Sequence, residues 1–293
     1  MRNIFIIELK KALGKNPWFW GSLAAGVFLA SLSALQGYVI FSNTLSEALE
    51  LWNIEDVGYS SVGCYALWLP IRTSEIAAGV FFLVWPLIVA LPYAWAWNEE
   101  RACGLEAQAA VRAGRKYTLA AKLLATWVTG SLCITVPYLI NLVTCACFAP
   151  AMPLLASDLI YHAVGPDALF SSLLFMHPLG FCILWTCLAG CIAGLWAVAV
   201  SAVAVAMESF SKAYVGSYLF LIVLSFVGGK LRLSVGEAIG KNVVRSALLG
   251  MDVMHALAVR SLPHVAAAFI LLFIALLLFI GLSLWVFIRR DYL

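Results

Sequence analysis

Six stretches of this chain run without a single Asp, Glu, Lys or Arg: Asn16–Ser46, Ile76–Trp97, Leu123–Ser157, Ala168–Met207, Ala213–Gly229 and Ser261–Ile288. A helix rises about 1.5 Å per residue, so roughly 20 apolar residues cross a hydrocarbon core about 30 Å thick. Inside that core no water satisfies a backbone N–H or C=O, so only helices and closed barrels cross it. The runs lack the period-two alternation of a barrel strand. The expected fold is therefore all-α: a polytopic membrane protein of six transmembrane helices, with an N-terminal interfacial helix and outer amphipathic or re-entrant helices between spans five and six. The fourth run is about twice the length the core requires. Its first part, around His177, Pro178 and Gly180, is expected at the outer interface, with the span proper near Phe181–Met207. The first run is too long for a signal-peptide core and no small-residue cleavage site follows it, so it is expected to be retained.

Composition removes the other classes. Hydrophobic residues make up 64% of the chain and charged residues 11%, against about 45–50% and about 25% in soluble domains. A soluble enzyme, a DNA-binding domain and a disordered regulator are excluded. The net charge of +3 is too small to suggest nucleic acid as a partner. Residues 1–293 read as one transmembrane domain whose surroundings are the lipid bilayer.

Basic residues set the orientation. With a cytoplasmic N-terminus and six spans, the inner side holds Arg2, Lys10, Lys11, Lys15, Arg101, Arg112, Arg115, Lys116, Lys122, Lys212, Arg289 and Arg290; the outer side holds Arg72, Lys230, Arg232, Lys241, Arg245 and Arg260. The bias favours a plasma-membrane protein with both termini cytoplasmic. It is opposed by the basic residues between Lys230 and Arg260. There, Glu237, Lys241 and Arg245 recur every four residues on one helical face, and Leu249, Val253 and Leu257 form another. The outer segment 230–262 reads either as amphipathic helices at the outer surface, dipping partly into the membrane, or as a solvated loop with helical content.

Two further segments flank the first span. Residues 1–16 mix Ile4, Phe5, Ile6, Leu9 and Leu13 with basic positions. They read as an inner interfacial helix turning into the membrane near Pro17, anchored by Trp18, Phe19 and Trp20, or as a basic flank that only sets topology. The loop after the first span carries Glu47, Glu50, Glu55, Asp56 and Glu75. It lacks the spacing and the Gly of a calcium loop, so a solvated face is expected.

The segment Asn98–Leu124 (NEERACGLEAQAAVRAGRKYTLAAKLL) follows span two. It opens on the charged triplet Glu99-Glu100-Arg101, continues in a short helix around Leu105–Val111, turns at Gly114-Arg115-Lys116 and enters span three through Ala121-Lys122-Leu123. Ordering such a loop costs conformational entropy, which contacts must offset. A cytoplasmic partner is the expected source.

This layout resembles the ABC-2 type permeases, the membrane subunits of one class of ABC transporter. The residues that carry the resemblance are Glu99, Glu100, Arg101, Gly104, Leu105, Glu106, Arg115 and Lys122, with the basic amphipathic N-terminus, the six-span count and the closing Arg289-Arg290-Asp291. Two departures stand out. Ala102-Cys103 and Ala107-Gln108-Ala109-Ala110 make the loop less charged and less Leu-rich than the family pattern, and the fourth apolar run is longer. The resemblance implies that loop 98–122 holds a coupling helix that docks on a separate ATPase subunit through Glu99, Glu100, Arg101, Gly104, Leu105, Glu106, Arg115 and Lys116. It implies a connecting helix at the N-terminus and re-entrant helices between spans five and six. It also implies a second permease copy or homologous permease, with the substrate path between the two.

The chain shows no chemistry of its own. Gly236 to Asn242 resembles a P-loop only loosely, with the wrong spacing and no Ser or Thr after Lys241. ATP and Mg are expected in the partner subunit, with no cofactor, metal or catalytic residue in this chain. Cys187 and Cys191 share a face without a His or carboxylate to complete a zinc set, and Cys145-x-Cys147 lacks redox spacing. His162, His177, His255 and His264 map to outer loops or interfaces, and none forms a triad with a nucleophile and a carboxylate. The charge-free spans argue against an ion-coupled carrier, which places ionisable groups in mid-membrane. An exporter of a peptide, lipid or amphipathic molecule and a non-transporting immunity or assembly protein both remain. Gly190-x-x-x-Gly194, beside Ala189 and Ala193, marks close helix packing, either as a sliding or dimer contact or within the chain. Pro86, Pro92 and Pro137 are expected to bend their helices.

Overall fold

The computed structural model describes residues 2–14, 16–52, 62–154, 164–165, 168–235, 254, 256–259, 270 and 272–281. Among them the chain is helical with no strand. In order these are α1 (Arg2–Leu13), α2 (Pro17–Trp52), α3 (Ile76–Ala90), α4 (Ala96–Ala102), α5 (Leu105–Ala113), α6 (Arg115–Phe148), α7 (Ser171–Met176), α8 (Pro178–Ala206) and α9 (Phe210–Val235), followed by α10 (Leu272–Gly281). Four helices contain segments long and apolar enough to cross a membrane: Pro17–Ser46, Tyr117–Phe148, Pro178–Ala206 and Phe210–Val227. By the length and composition of these helices, this is a membrane protein. Ile76–Ala90 and Leu272–Gly281 are shorter apolar helices.

Local chemistry explains the breaks. Asn16 sits before α2 and accepts a hydrogen bond from the Trp18 N–H at 3.1 Å, with Pro17 in the first helical position. Its amide donates to the Ala12 and Pro92 carbonyls at 3.1 and 2.7 Å. One buried side chain thus joins α1, the start of α2 and the end of α3. Phe19 enters the core, while Trp18 and Trp20 stay at the surface, Trp20 donating to the Gly14 carbonyl. Span two was expected as one run, Ile76–Trp97, but the helix stops at Ala90 and resumes as α4 after a turn at 91–95. Pro92 has no N–H to continue the ladder. The long fourth run breaks at His177, with α8 starting on Pro178.

α8 is the most enclosed of the long helices. It packs on α6 along most of its length, on α3, and on α9. α6 also contacts α1, α2, α3 and α5. Gly190 and Gly194 form the α8 side of the seam with α6. A Cβ on Gly194 would lie 2.5 Å from Ser131 Oγ and 2.6 Å from the Trp127 carbonyl oxygen, and one on Gly190 would lie 2.5 Å from Thr135 Cγ2. Ser131 Oγ donates to the Gly190 carbonyl at 2.8 Å. Within this chain, therefore, the small residues pack against α6. α9 is tied to α3 by two hydroxyls one helical turn apart, Tyr214 to the Leu87 carbonyl at 3.1 Å and Tyr218 to the Leu83 carbonyl at 3.3 Å.

The end of the bundle at the start of α3 and α8 is sealed by residues 62–71 and by Met254 with residues 256–259. Residues 62–71 are buried, with Trp68 donating to the Tyr138 carbonyl at 3.1 Å and the Leu69 N–H donating to Asn141 Oδ1 at 2.9 Å. Met254, Leu257, Ala258 and Val259 lie against them in the core. Trp85 Nε1 donates to the Met254 carbonyl at 2.7 Å; Tyr138 Oη and Trp185 Nε1 both donate to the Leu257 carbonyl at 3.0 Å; and the Val259 N–H donates to the Pro70 carbonyl at 2.8 Å. Of the expected outer segment 230–262, this part dips into the bundle. The charged face Glu237, Lys241 and Arg245, and Leu249 and Val253, lie outside the described residues. The acidic loop also differs from a wholly solvated face. Glu75 is nearly enclosed and pairs with Arg72, yet burial holds its carboxyl above the ordinary range despite that arginine. Glu55, Asp56, His162, His255, His264 and the closing Arg289-Arg290-Asp291 lie outside the described residues.

Candidate functional site

The loop between α3 and α6 is ordered as α4, a turn, α5 and a second turn. Gly104 and Gly114 bracket α5 with φ of 71° and 84°. L side chains avoid this region, so glycine lets the chain reverse twice within a few residues. α6 then runs 34 residues from Arg115, about 50 Å at 1.5 Å per residue. That is longer than a hydrocarbon core about 30 Å thick, and the second turn of α6 carries Lys122, which pairs with Glu100 of the loop.

Glu100 is the centre of this site. Its Oε2 lies 2.6 Å from Lys122 Nζ on α6, and its Oε1 accepts from Lys11 Nζ on α1 at 3.0 Å. Lys11 also bonds Glu8 Oε1 at 3.1 Å, and Glu8 Oε2 accepts from the Tyr93 hydroxyl at 2.6 Å. Burial opposes ionisation of Glu100, but the hydrogen bonds and charges of Lys122 and Lys11 outweigh it and hold the carboxyl below its ordinary range. For Lys11, burial works against the charged form, and Glu100 and Glu8 overcome it, raising its pKa. Two more bonds complete the anchoring. Asn98 donates to the Ala204 carbonyl near the end of α8 at 2.9 Å, and Trp97 Nε1 donates to Glu106 Oε1 at 3.0 Å, fastening α5 to α4.

The eight sequence-expected contact residues divide into groups. Glu99, Arg101, Gly104 and Leu105 lie at the surface. Glu100 and Glu106 turn inward and hold the loop together. Arg115 and Lys116 open α6, and their side chains lie outside the described residues. α5 also exposes Gln108, Arg112 and Val111, the last at 88%. Glu8, Lys11, Tyr93, Trp97 and Asn98 were not among the expected residues. One signal was readable: Glu8 shares the buried face of α1 with Ala12, four residues on, and a carboxylate on such a face needs partners.

The eight cysteines are all unpaired thiols, and burial raises Cys64 to about 11. Among the described residues no three His, Cys, Asp or Glu side chains gather to hold a metal. No protein-family model, curated protein or solved structure matches the chain.

Proposed function

We propose that this chain is the membrane-spanning permease subunit of an ABC-2 type exporter, energised by a separate ATP-binding subunit that docks on loop 98–122. α3 with its continuation to Trp97, and the charge-free run Ser261–Ile288 that contains α10, join the four longer helices to make six spans, with both termini on the cytoplasmic face of the plasma membrane. A second copy or a homologous permease completes the substrate path for a peptide, lipid or amphipathic molecule. ATP and Mg belong to the partner.

The observation that carries this reading is the division of labour within one charged triplet. Glu100 is held between Lys11 and Lys122, while its neighbours Glu99 and Arg101 and one side of α5 face outward. A loop tied at once to α1, α6 and α8 moves with them, so a push on α5 reaches the bundle. An ordered short helix with an apolar tip suits a groove on another protein.

Co-expression with the cell's ATP-binding cassette subunits tests this. The purified chain alone is expected to hydrolyse no ATP and to co-purify with one such subunit. Val111→Glu with Leu105→Glu should abolish co-purification while leaving the melting profile unchanged. Undiminished co-purification of that double variant would remove the role given to α5.

A further inference from the structure

A cavity of about 540 Å³ lies between α3, α8, α9 and α10, within the roughly 300–1,000 Å³ range of small-molecule sites. It is elongated. Along α8 and its C-terminal cap it is lined by Ile192, Trp196, Val203 and Met207, a single stripe that rises about 22 Å at 1.5 Å per residue. Gly216, Phe220 and Leu224, at intervals of four, form the facing stripe of α9, and α10 closes the third side. The result is a slot parallel to the spans rather than a rounded pocket.

Its chemistry is that of hydrocarbon. No ionisable side chain lines it. Trp85 and Trp196 face it, but their indole N–H groups are engaged with the carbonyls of Met254 and Pro86, at 2.7 and 3.1 Å. Ser217 supplies the remaining polar side chain. A charged or sugar-like ligand would lose its hydration there without replacement, whereas a methylene chain loses nothing. The mouth is lateral, because Phe220 and Phe279 line the slot and are also 60% and 41% exposed on the bundle surface.

One cation marks an end. Lys212 precedes Gly216 by four residues on α9, so it lies on the same stripe one turn nearer the α8–α9 turn. It is exposed, and among the described residues its ammonium has no ion-pair or hydrogen-bond partner. Lysines near the ends of membrane helices reach the headgroup level.

We propose that this slot binds one acyl chain of a glycerophospholipid, drawn from the leaflet that meets the α8–α9 turn, with the lipid phosphate on Lys212. The site is independent of whether the chain transports anything.

The experiment uses the full chain in phosphatidylcholine vesicles containing a little phosphatidylglycerol with a diazirine on its acyl chain. After illumination, cross-linked peptides are mapped. Labelling should concentrate on Ile192–Met207 and on the slot stripes of α9 and α10. A Cβ on Gly216 would meet nothing within 4 Å, so Gly216→Phe fills the slot without displacing backbone. It should lower slot labelling about tenfold or more, a difference of about 1.4 kcal/mol or more in binding. Ala275→Leu, from the opposite wall, should act in the same direction. Leu219→Phe, on the outward face, should leave labelling unchanged. Lys212→Gln should reduce labelling by the phospholipid but not by the corresponding diacylglycerol, which lacks phosphate. Labelling spread evenly over the exposed faces of α2 and α9, with both filling variants silent, would mean bulk lipid contact and overturn the site. Equal loss or no loss with the two lipids for Lys212→Gln would overturn the phosphate assignment.

Discussion

Glu100 Oε2 on α4 lies 2.6 Å from Lys122 Nζ on α6, in a place where the two side chains are only 15% and 4% exposed. A buried pair of this kind contributes little over a well-packed apolar pair, but losing one partner strands the other charge. Glu100→Gln is therefore expected to destabilise the protein by about 3–5 kcal/mol, read as a lower denaturant midpoint in detergent. Glu100→Leu combined with Lys122→Met should recover most of that loss. A double variant as unstable as Glu100→Gln would show that the pair is not the source.

The same network should loosen at both extremes of pH. Glu100 is held below its ordinary 4.5, so its contribution is present above that pH and lost as pH falls through the lowered value. Lys11 is raised above its ordinary 10.5, so its contribution is complete below that pH and lost as pH rises through the raised value. Protease protection of α1 should stay flat between these limits and fall below the lower one. In Glu100→Gln the acid limb should disappear.

At the α6–α8 seam, Gly194→Ala should cost about 1–3 kcal/mol through overpacking, because its Cβ would meet a backbone oxygen at 2.6 Å that cannot swing away. Gly79→Ala is the control. Nothing lies within 4 Å of a Cβ there, and a helical Gly→Ala change favours folding by up to about 1 kcal/mol. Thermal unfolding of the two variants should move in opposite directions.

The sealed end of the bundle offers a graded test. Trp85 is the donor to the Met254 carbonyl, whereas Tyr138 and Trp185 share the Leu257 carbonyl. Trp85→Phe leaves a buried acceptor bare, at a cost of about 1–3 kcal/mol. Tyr138→Phe leaves Leu257 with one donor. Hydrogen exchange at the Val259 amide, bonded to the Pro70 carbonyl, should speed up more in Trp85→Phe than in Tyr138→Phe. The reverse order would show that the segment is held elsewhere.

Much of the framework was legible in the chain itself. Pro17, Gly114 and the His177-Pro178 step each mark a helix boundary because each acts locally: a fixed φ, a missing N–H or a positive φ. The short helix in the loop was legible for the same reason, with α5 at Leu105–Ala113. The break after Ala90 was harder to see. Pro92 was read as a bend within a span, and whether a proline bends a helix or ends it depends on what then satisfies the freed groups.

What the sequence by itself determined is that this chain is built of apolar helices, together with most of their boundaries, since charge-free runs and helix breakers act within a few residues. Only the tertiary structure decided which member of the Glu99-Glu100-Arg101 triplet turns inward, because Lys11 and Lys122 reach Glu100 from distant points in the chain. It also decided that Met254 and Leu257 are pinned by Trp85, Tyr138 and Trp185, and that a slot remains between α8, α9 and α10. Those are matters of packing and hydrogen-bond satisfaction between elements far apart in the chain, and no local pattern encodes them.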